Sequence, residues 1–159
     1  MQIRLQMLMK APVVFSQRDP LVVLGDECLA DILGCCRTRE EAAARLWAAY
    51  GRTVLSEVDP CMEANDGISA TLECLSHYPT LSEMSVRWVA PGCYSLWLHG
   101  AGLHLYENPR RELSVSFSFP GKDTEAIDVT DYSSDAAAYF IATLFGAWPG
   151  IERFLDSLC

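Results

Sequence analysis

Three histidines and seven cysteines are the side chains of this 159-residue chain that could bind a metal or act as nucleophiles. Structural zinc sites need ligand pairs at short fixed spacing, C-x-x-C above all. Cys35 and Cys36 are adjacent instead, and no second pair follows at zinc spacing. His99 and His104 flank Gly100-Ala101-Gly102, with His77 further upstream. Two histidines on adjoining strands can meet over a metal; the competing reading is a histidine beside a turn or at a sheet edge. Leu98-His99-Gly100-Ala101-Gly102 has the composition of an oxyanion loop, but no G-x-S-x-G elbow accompanies it, and it reads as a tight turn. Among the thiols, Cys36 before Arg37 is the best placed for reactivity, since thiolates form in electropositive, partly exposed settings. Neither G-x-x-x-x-G-K-[ST] nor G-x-G-x-x-G occurs, so no phosphate cradle is written in the chain. These residues predict no catalytic site, no metal and no cofactor.

The cysteines are informative in another way. Their number is odd, their spacing irregular, and most sit among apolar neighbours, as in Leu72-Glu73-Cys74-Leu75. A secreted disulfide framework normally has an even count. The expectation is reduced, buried thiols in a cytoplasmic protein. The first residues alternate polar and apolar, whereas a signal peptide needs a continuous apolar stretch. Apolar runs also fall far short of the ~20 residues of a membrane span.

Charge supplies the positive signal. Asp and Glu number 21 against 12 Lys and Arg, a net charge of −9. Such a balance repels nucleic acid and anionic membrane surfaces, and it steers basic partners. The carboxylates concentrate in two stretches. Glu57, Asp59, Glu63 and Asp66 belong to the first, and Asp123, Glu125, Asp128 and Asp131 to the second, which runs on to Asp135. The D-x-[DN]-x-[DN]-G calcium pattern is missing from both. They read either as solvated loops or, with Tyr50, Tyr132 and Tyr139 beside them, as a docking surface for a basic partner. Trp97 joins this list of partner-binding candidates. It alternates out of step with Leu96 and Leu98, so either a helix covers its face or it belongs to a binding surface.

The elements that must position these residues follow from periodicity. Ile3, Leu5, Met7 and Met9 alternate, predicting a strand. Asp19-Pro20 predicts a helix start, with Leu21, Leu24, Cys28 and Ile32 following at helical spacing. Thr38 to Glu41 is a capping box opening a helix that Gly51 is expected to end. The run Ile68, Ala70, Leu72, Cys74 alternates, as do Met84 to Trp88, Tyr94 to Leu98, Leu103 to Glu107 and Leu113 to Phe119. Pro91-Gly92, Asn108-Pro109 and Pro120-Gly121 supply turns. Ser133 or Ser134 caps a helix that Pro149-Gly150 should stop, leaving a short last helix from Ile151 to Leu158. Segregated helices and strands predict one α+β domain spanning 1–159, with an antiparallel β-meander of about five strands and helices packed on one face.

Taken together, the acidic stretches, the reduced cysteines and the motif-free α+β plan resemble a bacterial immunity protein of a type VI or contact-dependent toxin system. The resemblance lies in the profile of the whole chain: Glu57-Val58-Asp59 through Asp66, Leu113-Ser114-Val115-Ser116-Phe117, and Asp123 through Asp135. It implies a non-enzymatic protein that neutralises a cognate toxin or effector by one-to-one binding over its active site. An acidic secretion chaperone is the alternative, although those usually open with a helix. A small enzyme built around His99, His104 and a carboxylate is the third reading.

Overall fold

The computed structural model describes residues 19–58, 65–119 and 122–158, with the backbone alone at 118–119 and 122–125. In chain order the elements are α1 Pro20–Leu24, α2 Asp26–Cys35, α3 Arg39–Glu57, α4 Ile68–Ser76 and a 3-10 turn at Pro79–Leu81. Five strands follow, β1 Ser85–Ala90, β2 Cys93–Leu98, β3 Ala101–Glu107, β4 Leu113–Phe119 and β5 Lys122–Asp128, and then the long helix α5 Ser134–Ser157. The sheet is an antiparallel meander in the order β1-β2-β3-β4-β5. Helices cover one of its faces, as the α+β reading expects. The predicted strand at residues 3–9 lies outside the described residues.

Register assigns the two faces. Leu96 pairs with Leu103, Leu103 with Phe117, and Val115 with Ile127; all four strands send these side chains into the core. Ser95, His104 and Ser116 form the matching row on the open face. Helix α3 lies against β4 and β5, and α4 against β3. Helix α5 packs along both α3 and α4. Every residue from Ala137 to Phe145 is buried, the pattern of a helix enclosed on all sides.

Trp47 joins these layers. Its ring meets Phe117 at 5.1 Å, Trp148 at 5.3 Å and Phe145 at 5.9 Å between centroids. Its indole N–H donates to the Leu144 carbonyl at 2.8 Å, so the one polar atom of this side chain is satisfied inside the core.

Four local expectations are corrected. Residues 68–76 form helix α4, not a strand: Ile68, Thr71 and Leu75 are its buried positions, at helical spacing, and the Thr71 hydroxyl is satisfied by the Gly67 carbonyl at 3.0 Å. Gly51 does not end α3, which runs to Glu57. A Cβ there would stand 3.1 Å from Leu144 Cδ2 and 3.3 Å from Ile127 Cδ1 and Phe117 Cζ, so the glycine lets α3 approach sheet and α5 closely. Pro149 lies inside α5, and no separate last helix exists. Trp148, Ile151 and Leu155 continue the buried stripe through it, and this packing outweighs the hydrogen bond that proline removes. Finally, 122–128 is strand β5 and not an acidic loop.

Other signals hold as read. Asp19 caps α1 by accepting from the Leu21 amide at 3.0 Å, and Gly25 (φ 85°) separates α1 from α2. Thr38 caps α3 through the Glu41 amide at 3.1 Å. The reciprocal bond differs by one residue: the Glu41 carboxylate accepts from Arg37 N–H, at 3.4 Å.

Candidate functional site

The two acidic stretches, far apart in sequence, meet at one end of the sheet. Asn65 Nδ2 donates to the Tyr132 carbonyl at 3.1 Å, and the Asp66 amide donates to Ser134 Oγ at 3.1 Å. The Tyr132 hydroxyl donates to the Leu55 carbonyl at 3.3 Å, tying the end of α3 to the same place. Nearby, Glu107 at the end of β3 caps α4: its carboxylate accepts from the Ile68 amide at 3.2 Å, where the helix dipole favours negative charge. Gly92 supports that strand end closely, accepting from the Glu107 amide at 2.7 Å. A Cβ on Gly92 would collide with the Glu107 carbonyl oxygen.

This end presents Glu57, Asp66, Glu112, Asp128 and Asp131 as exposed carboxylates, with Glu107 and Asp135 half-buried behind them. Arg110 and Arg111, in the β3–β4 turn, are exposed cations at its margin. Asp128 is held by the Thr130 amide, which it accepts at 2.8 Å. Asp66 and Asp131 lie on segments joined by the bonds to Tyr132 and Ser134, so their backbones are held near each other.

The negative field is felt by neighbouring acids. Burial pushes the Cys74 thiol up to about 12, helped by its hydrogen bond to Asp135 and by the charges of Asp135, Glu73 and Asp66. Its Sγ donates to Asp135 Oδ1 at 3.2 Å. Burial pushes Tyr78 up to about 12, with Asp135 adding to it. Tyr139 is raised by burial as well, with Glu57 among the contributing charges. A thiol in such a setting is a poor nucleophile.

Of the predicted partner-binding residues, the structure brings Glu57, Asp66, Asp128 and Asp131 together. Asp59 and Glu63 lie outside the described residues, as do the side chains of Asp123 and Glu125. Trp97 belongs elsewhere. It stands on the open face of the sheet, opposite Gly102, about 17 Å along the strands from the level of Glu107. Its indole covers Gly102, donates to the Ser95 hydroxyl, and keeps 36% exposure. A Cβ on Gly102 would be 2.7 Å from the ring, so the pair is an aromatic packed over a bare strand glycine. No helix covers it. The three tyrosines are also not a docking rim, because Tyr50 and Tyr139 are core residues and Tyr132 is half-buried and bonded to Leu55.

The histidine constellation dissolves. His99 (φ 53°) and Gly100 (φ 81°) are the two central residues of the β2–β3 hairpin, a tight turn that needs positive φ at both positions. His104 pairs with Ser95 and Ser116 in mid-sheet. Among the described residues no group of three or more His, Cys, Asp or Glu side chains could hold a metal ion. Cys36 packs against the core, and Cys35 is exposed. No helix of the described residues is long and apolar enough to cross a membrane.

Sequence reading missed Glu107 and Asn65. Asn65-Asp66-Gly67 before an apolar run was the available signal for a helix start, with Gly67 at φ 105°. No protein-family model matches the chain, and searches of the curated proteins and of the solved structures return no match.

Proposed function

We propose that this chain is a non-enzymatic binding protein of the toxin-immunity kind, holding a basic partner protein one-to-one against its acidic end. The observation that carries the proposal is the joining of the two acidic stretches through Asn65–Tyr132 and Asp66–Ser134. Scattered solvating charges need no such tethering. Carboxylates carried on tethered backbone stay close together and act together on an approaching basic face. The resemblance of the whole-chain profile to immunity proteins supports a toxin as the partner, with the acidic surface covering its active site.

The test is binding to the product of the adjacent reading frame. Tight equimolar binding is expected, with an association rate that falls as salt rises. Reversing Asp66→Lys together with Asp131→Lys should slow association by about tenfold or more at low salt while leaving the circular-dichroism spectrum unchanged. A neighbouring product that neither binds nor poisons cells lacking this chain overturns the reading.

A further inference from the structure

Edge strands invite pairing, and proteins usually blunt them with charge, proline or a covering element. Strand β5 is blunted in this way: Lys122, Asp123, Glu125 and Asp128 fall within its seven residues, and α3 packs against it. Strand β1 is different. All of it is exposed except Ala90. Val86, Trp88 and Val89 are 49%, 59% and 51% exposed. Register places Val86 beside Leu96 and Trp88 beside Tyr94, on the helix-covered face of the sheet, where the described helices leave both exposed. The regular edge runs from Ser85 to Trp88, and a bulge follows between Trp88 and Ala90.

The charge around this edge selects the occupant. Residues 82–93 carry one Glu and one Arg, a neutral patch in a chain of −9. A basic partner gains nothing here, whereas two copies of an acidic chain can approach only where carboxylates do not face each other. The sequence is also self-complementary. In an antiparallel pairing with Val86 on the two-fold axis, Met84 stands opposite Trp88 of the second copy and Ser85 opposite Arg87. The two Arg87 side chains lie diagonal to each other on the opposite face, where they are exposed and can splay into solvent. Met84, Val86 and Trp88 form one apolar row across the axis; Met84 is partly buried against its own core, and Val86 and Trp88 are exposed.

We propose that β1 is a homodimerisation edge, joining two five-stranded sheets into one continuous sheet about a two-fold axis at Val86. Such an isologous contact is closed, so it stops at two copies. The inference does not rest on the toxin-binding reading: the axis at Val86 is in mid-strand, whereas the acidic end approaches β1 only at the β1–β2 turn, where Glu107 bonds to Gly92.

Sedimentation equilibrium on the full chain across a concentration series tests it. A monomer–dimer equilibrium is expected. Val86→Lys places two lysines directly opposite each other on the axis, with Cβ atoms about 5 Å apart, and should abolish the dimer with the far-ultraviolet spectrum intact. Trp88→Ala, which removes the residue opposite Met84 twice by symmetry, should weaken the dimer roughly tenfold or more. A chain that stays monomeric at every concentration overturns the proposal, whether residues 1–18 or another protein take the edge. A dimer indifferent to Val86→Lys also overturns it.

Discussion

The two edges of one sheet are built on different principles. At β5 the strand is charged in sequence and lies under α3, whose Gly51 and Trp47 bring helix, sheet and α5 into contact. At β1 the strand is apolar, nearly uncharged and exposed. A tryptophan on the roofed side is a structural member, and one on the open side is surface. The lesson is that hydrophobic residues in a strand do not report burial by themselves. What lies above the strand decides, and that is settled by elements distant in sequence.

The comparison can be broken first at its strong side. Trp47→Ala should cost about 3–5 kcal/mol, from the cavity and the lost bond to Leu144, seen as a large fall in urea midpoint. Trp88→Ala, a change of the same size at the open edge, should alter monomer stability by less than about 0.5 kcal/mol. Equal losses at the two sites would refute the contrast. Gly51→Val comes next. Its side chain must displace Leu144, Ile127 or Phe117, for a loss of about 1–3 kcal/mol by the same measurement.

A smaller effect is expected from pH. The Cys74 thiol is raised from 9.0 to about 12 in the fold, so the native state holds its proton where the unfolded chain has lost it. Its contribution is complete below pH 9.0 and disappears as pH climbs toward about 12. Stability should therefore decline over that alkaline window, and the decline should be shallower in Cys74→Ala. Tyr78, also raised to about 12, keeps part of the slope in that variant. The same thiol should react with iodoacetamide far more slowly at pH 8 than exposed Cys35, read by peptide mass.

Much of this architecture was legible because period two and turn residues are local. Leu113 to Phe119 pairs on both sides as its alternation predicts, and Asp19 and Thr38 cap the helices they precede. The failures share a cause. Ile68, Ala70, Leu72 and Cys74 fit period two as well as Ile68, Thr71 and Leu75 fit a helix, and only the bond of Thr71 to Gly67 shows why a polar residue takes the inward position. Gly51 and Pro149 look like terminators until the neighbours that pack on them are known. The acidic surface was half legible. Composition marks both stretches, but their meeting depends on Asn65, a residue whose partner lies 67 positions away. Trp97 was ambiguous for the same reason, since the glycine under it is found only through register.

Helix α5 carries one more implication, which concerns time. It is the last of the described elements to leave the ribosome, yet it is the most enclosed, and the Trp47 indole waits for a carbonyl 97 residues downstream. Until that helix arrives, the meander and α3 share an unfinished interior in which Trp47, Phe117 and Leu46 have no lid. Native packing on a nascent chain is thus withheld until α5 has emerged. The interval before then is when strand β1, already apolar and already at an edge, is most open to the wrong neighbour.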